Sequence, residues 1–473
     1  MTNKVAEIFA NSNRGLVIAP AGCGKTRLIA EAVSLDTGRQ LILTHTHAGV
    51  RAILNHLRIL GVSSKRFRVS TIDGWALKYA NAFPSLSGWN NKEPTGDAWD
   101  DVRSAAALAL KRKAVRRILS ASYDGVYVDE YQDCTSRQHQ LILIISEILR
   151  CRIVGDPMQA IFWQINKDDN LSWSDIEESF EPVEELSIPW RWKGHNEDLG
   201  RWLLEVRELL MAGKPIDLRE GQVDWISCSK HASQLRVCFD MARKKGSVVA
   251  VRGWANQCHH LARYLNNTFR FMETVECEDL LNWCERLEKS KGINRVKAFI
   301  GFVNACISRL PSAIGKMVDR LSRGKPLRPR RDDIQNVANA LVEILRTDTL
   351  RAVEQGMAAI EQLNENLVYA RYELWKEMRK TLRNYDSLQC DCLRDRAWRV
   401  RDVVRKIGRP VDSRCLSTTL LVKGLEFDHA VILDADDLKD AENLYVAMTR
   451  GSKSVTVLSE NPIIQRRRPR FLE

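Results

Sequence analysis

Near the start of the chain the apolar positions change their spacing. Leu16 to Ala19, inside "GLVIAP", form an unbroken apolar run of the kind a buried strand needs, and "TRLIAEAV" then sets Leu28, Ile29 and Ala32 on one helical face. This predicts a strand, a tight turn and a helix. About a hundred residues on, Val126 to Val128 make a second short apolar strand that ends at Asp129 and Glu130. Apolar strands alternate with helical segments through most of the chain, which predicts an α/β fold of parallel sheets with helices on each face. After "SVVAVRGWANQCHHLARYL" a longer stretch, from about Asn256 to Pro410, is helical in period instead, as in "AVEQGMAAIEQLNENLVYARYELWKEMRKTL". The basic, proline-bearing "RGKPLRPRR" inside it is expected to be a loop. Neither this stretch nor the shorter one from Ala76 to Asp124 shows an internal repeat or low-complexity tract.

Length and composition bound the reading. With 473 residues and 44% apolar content the chain has room for about three globular domains. No stretch of ~20 apolar residues occurs, and "MTNKVAEIFA" lacks the basic start and apolar centre of a signal peptide, so a cytoplasmic location and no membrane partner are expected. The 12 cysteines lack metal-ligand spacing and are expected to be reduced thiols. The 72 Lys and Arg exceed the 60 Asp and Glu, leaving a net charge of +12, and an excess of that size favours a polyanionic partner. Basic clusters at Lys111 to Arg117, Arg323 to Arg331 and Arg466 to Arg470 point to nucleic acid.

The candidate chemistry sits at the ends of the two strands. "AGCGKTR" is the core of an A-x-x-x-x-G-K-T pattern that opens at Ala19. Gly22 and Gly24, on either side of Cys23, let the backbone curl so that N–H groups point inward. Lys25 adds a point charge, Thr26 offers a hydroxyl to Mg2+, and Arg27 opens the helix that follows. That is a site for a nucleoside triphosphate. Two carboxylates at a strand end beside such a loop divide the work of phosphoryl transfer, Asp129 holding the metal and Glu130 orienting or deprotonating the attacking water.

With these residues in place, "VDEYQD" followed by "IVGDPMQAIF" resembles the second and third signature motifs of the superfamily 1 helicases related to UvrD, Rep and PcrA. "LILTHTHAGVRAI", "VSTIDGWA", "LSIPWRW", "TTLLVKGLEFDHAVIL" and "NLYVAMTRGSKSVTVL" resemble the remaining motifs in the expected order, from residue 16 to residue 458. The resemblance implies ATP and Mg2+ as cofactors. It implies that Gln159 senses the terminal phosphate and links it to the DNA path, that Arg191 and Arg450 stabilise charge on the transferring phosphoryl group, that Trp190 stacks on adenine, that Glu426 lies near the ribose, and that Gly424 also belongs to the nucleotide site. Thr44, His45, Thr71 and Thr418 fall at DNA-contact positions, with Phe162 and Trp163 as stacking candidates. The chain departs from the family in having no glutamine before the phosphate loop, His45 for a stacking aromatic, Asp73 for a histidine, and Leu420 and Leu421 for a polar pair.

The fold implied is two RecA-like parallel-sheet core domains with a minimal first insertion and a helical second insertion. The first core domain is expected over 1–189, with a small insertion at about 76–124. The second is expected over 190–255 and 411–465, the accessory insertion over 256–410, and a basic tail over 466–473. The activity implied is that of an ATP-dependent helicase and translocase on single-stranded or tailed DNA, with 3′→5′ polarity, in DNA repair or anti-phage defence. The compact size also resembles helicase-like subunits of bacterial defence systems such as Gabija, which leaves open a DNA-end-sensing regulatory ATPase working with a partner nuclease.

Overall fold

The structure, a computed structural model, describes residues 2–90, 94, 98–162, 171–228, 231–273, 278–329, 331–347, 349–363, 366–383, 392–407 and 411–469. The chain divides into two compact units. One comprises Met1–Ser227, Lys423–Ala430 and Ala435–Glu473, the other Cys228–Val422 and Val431–Asp434.

The first unit is built on β1 (Arg14–Ile18), β2 (Gln40–Thr44), β3 (Phe67–Thr71), β4 (Gly125–Val128), β5 (Arg150–Gly155) and β6 (Glu181–Glu185). They form one sheet in the order β3-β2-β4-β5-β1-β6, and all five pairings are parallel. The alternation of a strand splits its residues between two cores. Leu16, Leu41, Leu43, Val126, Val128 and Ile153 pack into one, while Val17, Ile42, Tyr127 and Val154 pack into the other with Leu28, Ile29 and Ala32. The predicted helix spans Lys25–Leu35 and buries those three residues. Between β3 and β4 the helices Ile72–Ala82, Ala98–Leu110 and Lys113–Ser122 cover one face.

Sheet order places the chemistry. Because β5 alone separates β1 from β4, the loop after β1 and the carboxylates after β4 emerge together at the C-terminal edge, where parallel α/β sheets bind their ligands. The opposite edge is closed by a polar hub. Buried Asp36 accepts from Tyr127 Oη (2.6 Å), Arg152 Nη2 (2.6 Å) and Arg150 Nη2 (3.0 Å), and the Arg152 guanidinium lies 4.1 Å from the Tyr127 ring centroid.

A second six-stranded parallel sheet orders its strands as Arg270–Phe271, Arg414–Thr418, Val248–Arg252, Phe427–Ile432, Gly451–Ser459 and Asp224–Ser227. Within the second unit, seven helices among the described residues, from Glu278–Lys289 to Leu393–Ile407, surround an apolar core that includes Phe299, Phe302, Leu341, Met357 and Trp375. The long segment read as helical in period resolves into helices Arg351–Glu361 and Tyr372–Arg383. Between them Val368–Tyr369 pairs antiparallel with Ile307–Ser308. Among the described residues no helix is long and apolar enough to cross a membrane.

Candidate functional site

The loop after β1 depends on two left-handed glycines. Gly22 has φ 73° and Gly24, the residue before the helix, φ 89°. A Cβ on Gly22 would lie 2.6 Å from the Trp192 ring and 2.9 Å from Arg191 Cβ, so neither the conformation nor the space admits a side chain. At the first helical position, buried Lys25 donates to the Ala19 carbonyl (3.3 Å) and stands 3.4 Å from Glu130 Oε2. The Ala21 N–H donates to the Tyr445 hydroxyl at 3.2 Å, a tie between residues 424 apart.

Glu130, two residues past β4, holds φ 54°. A non-glycine residue in that region carries strain, and such strain concentrates at functional positions. Its carboxylate accepts from Gln132 Nε2 (2.6 Å), and Gln132 Oε1 in turn accepts from the Asp156 N–H (3.0 Å). Asp156 accepts from Gln159 Nε2 (2.8 Å) and pairs with buried Arg207 (3.3 Å). A hydrogen-bonded run thus joins Lys25, Glu130, Gln132, Asp156 and Gln159.

The adjacent carboxyls are pushed apart. Burial, reinforced by the neighbouring Glu130, raises Asp129 to about 7. Burial would also raise Glu130, but Lys25, Lys423 and the Gln132 hydrogen bond together hold it well below the ordinary carboxylate range. A buried carboxyl whose charge is opposed in this way suits a divalent cation, which would discharge it; Asp129 with the Thr26 hydroxyl is an all-oxygen set of the kind Mg2+ takes.

Other predicted residues gather on the same side. Trp190 lies between cations, with the Arg27 guanidinium 4.7 Å and Lys193 Nζ 4.5 Å from its ring centroid. Arg191 donates to the Thr449 carbonyl and to Glu426 Oε1, both at 2.6 Å. Arg450 is buried and donates to the Val446 and Leu425 carbonyls and to Thr449 Oγ1. Burial, with Arg191 beside it, lowers Arg450 to about 9. Gly424 has φ 79° and open space where a Cβ would stand. Cys23 is buried, and burial raises its thiol to about 12, which makes it unreactive.

The DNA-contact candidates divide. Thr71 Oγ1 caps the helix Ile72–Ala82 by accepting from the Gly74 N–H (3.0 Å). Thr44 is buried at the end of β2, and His45 Nε2 lies 3.6 Å from Cys134 Sγ. Phe162 faces Lys423 Nζ at 5.0 Å. Thr418 ends a strand of the second unit, and Trp163 lies outside the described residues. Sequence reasoning missed Lys423 itself, whose ammonium pairs with Asp133 and donates to the Gln159 carbonyl. Its place within "VKGLEF" was the available signal. It also missed Tyr445 and the Asp156–Arg207 pair, for which no local pattern exists.

The sheet order and the loop after β1 are those of a P-loop nucleotide-binding fold. Residues 3–163 match the AAA domain family. The chain is 23% identical over 207 residues to the Gabija protein GajB of Bacillus cereus (strain VD045), an alignment that takes in 35% of this chain and 41% of GajB. The chain therefore spans less than half the length of that relative. Two solved structures of Arterivirus nonstructural protein 10 (helicase) are also similar. The complex with DNA has 14% identity and a TM-score of 0.26, covering 52% of this chain and 49% of that one. The protein alone has 15% identity and a TM-score of 0.25, covering 53% and 49%. With the motif order, the family and GajB matches make the chain similar to the superfamily 1 UvrD-like helicases.

Proposed function

We propose that this chain hydrolyses ATP to move 3′→5′ along single-stranded DNA and to separate the duplex ahead of it. In this reading Lys25 neutralises phosphate charge, Glu130 orients or deprotonates the attacking water, and Arg191 and Arg450 stabilise the charge that develops on the transferring phosphoryl group. Mg2+ at Asp129 and Thr26 would supply further charge neutralisation. Trp190 stacks on the base, and Glu426 with Gly424 borders the ribose. Residues 1–189 act as the first RecA-like core domain, 190–255 with 411–465 as the second, and 256–410 as an accessory insertion.

The observation that carries the reading is the polar run from Lys25 through Glu130 and Gln132 to Gln159, continued by Lys423 to the face of Phe162. A motor needs such a coupling between the phosphates and an aromatic on which a base can stack. A specific match favours a second reading: the likeness to GajB suits a regulatory ATPase that senses DNA ends and works with a partner nuclease. Fluorescent duplexes with a 3′ tail, a 5′ tail or blunt ends, followed in ATP, separate the two. Strand separation confined to the 3′-tailed duplex is expected. DNA-stimulated hydrolysis with no separation of any duplex selects the regulatory ATPase, and a hydrolysis rate that no DNA or RNA changes at low salt overturns both.

A further inference from the structure

Four non-glycine residues among those described hold φ in the left-handed region: Glu130 (54°), Asn266 (48°), Asn267 (62°) and Arg309 (65°). One is the carboxylate assigned to water activation. The other three, the adjacent Asn266 and Asn267 and the distant Arg309, all line one open pocket of about 510 Å³ in the second unit. Asparagine adopts that region readily, but an arginine there is strained, and such strain persists only where the surroundings impose it and collects at ligand sites. The volume falls in the ~300–1,000 Å³ range of small-ligand pockets.

The walls show which groups support the pocket and which face a ligand. Asn267 is a buttress: its Nδ2 donates to the Leu367 carbonyl (2.7 Å) and its Oδ1 accepts from the Tyr369 N–H (2.8 Å), which pins the ribbon strand beside it. Glu361 is neutralised from behind, accepting from Trp375 Nε1 (2.6 Å) and pairing with Arg379. The side chains of Asn266, Asn366 and Arg309 have no hydrogen-bond partner among the described residues. Tyr369 adds a half-buried aromatic wall, held edge-on by Tyr372 (5.5 Å) and Trp375 (6.0 Å). Two amides that donate and accept, a guanidinium fork and an aromatic face match a base edge, a phosphate and a base plane respectively.

We infer that this pocket binds one nucleotide, with Asn266 and Asn366 on the base edge, Tyr369 against the base, and Arg309 on the phosphate. The site goes beyond the motor reading and does not depend on it. The nucleotide can arrive free or as an unpaired unit of a strand, so two photoreactive probes are used with the full chain, 5-iodouridine 5′-monophosphate and a 5′-phosphorylated decamer carrying one 5-iododeoxyuridine. An adduct on Tyr369, mapped by peptide mass and competed by excess UMP, is expected. It should fall about tenfold in Arg309→Gly, the loss of one charge-assisted contact. Glycine relaxes at positive φ, so that variant should unfold at no lower a temperature than the parent, and Arg309→Asn provides a second tolerant replacement. An adduct with the monophosphate assigns a soluble nucleotide, and an adduct with the decamer alone assigns a strand. No adduct at Tyr369 with either probe, or an adduct that persists unchanged in both Arg309 variants, overturns the inference. A Tyr369 adduct in a chain that fails to hydrolyse ATP leaves the inference standing and refutes only the motor reading.

Discussion

Replacing Glu130 with glutamine should make ATP bind more tightly while nearly stopping its hydrolysis. Lys25 Nζ stands 3.4 Å from Glu130 Oε2, and at an effective dielectric of ~20 that pair is worth at most about 5 kcal/mol. Incoming phosphates must compete with Glu130 for the ammonium. Glutamine keeps the shape and can still accept from Gln132 Nε2, but it removes the competing charge. Release of about 1.4 kcal/mol, under a third of that upper bound, raises ATP affinity about tenfold. The same change removes the carboxylate that orients or deprotonates the attacking water, a loss that costs roughly 10²–10⁴-fold in turnover. Equilibrium binding of ATP and single-turnover hydrolysis in the same preparation read the two effects separately. Turnover within threefold of the parent, or ATP bound more weakly, refutes the roles given to Lys25 and Glu130.

Gln159→Ala loses the side-chain bond to Asp156 but keeps the carbonyl that Lys423 reaches, so ATP should bind within twofold while strand separation falls further than hydrolysis; an equal fall in both counts against coupling through Gln159. Asp36→Ala strands the buried Arg152 charge and should cost about 3–5 kcal/mol in urea unfolding. Arg152→Met, which removes that charge together with its unsatisfied Nε and Nη1, should cost less, and the reverse ranking refutes the hub. Burial lowers His45 to about 4, against the pull of Asp73, while the unfolded side chain titrates near 6.5. The unfolded state therefore binds more protons in that window, and the contribution of neutral His45 is complete above pH 6.5 and lost as pH falls toward 4. Between pH 7.5 and 5 the parent should lose on the order of 2 kcal/mol more stability than His45→Gln, measured by urea unfolding, because the difference cancels the other titrating groups. Equal losses refute the assignment.

The strand, loop and helix around Lys25 were legible because each is a local matter: apolar spacing sets the strand and helix, and only glycine relaxes at φ 73° and 89°. The carboxylates at the end of β4 were legible for the same reason. The contacts that turn these pieces into a site were not. Tyr445 meets Ala21 N across 424 residues, and Lys423 reaches Asp133 across 290. No spacing encodes such pairs, since periodicity reports only which face a residue shows its neighbours in sequence. The hydroxyl of Thr71, a candidate DNA contact, also accepts from Gly74 N, since the same residue type suits a helix cap.

Asp73 shows how a departure from a family pattern acquires a cause only in three dimensions. Read along the chain, it is a histidine position filled by a carboxylate. In the fold, both its oxygens accept from Arg103, Nε and Nη2 each at 2.8 Å, and Oδ1 also accepts from Gln138 Nε2 at 3.0 Å. Burial opposes its charge, yet the Arg103 fork and the Gln138 bond together hold the Asp73 carboxyl below its ordinary value. The bidentate geometry requires an acceptor-only group, which a histidine cannot provide. Asp73 and Arg103 therefore form one unit: the carboxylate satisfies a guanidinium on the helix Ala98–Leu110, and that helix covers the sheet just where the segment between β3 and β4 is short.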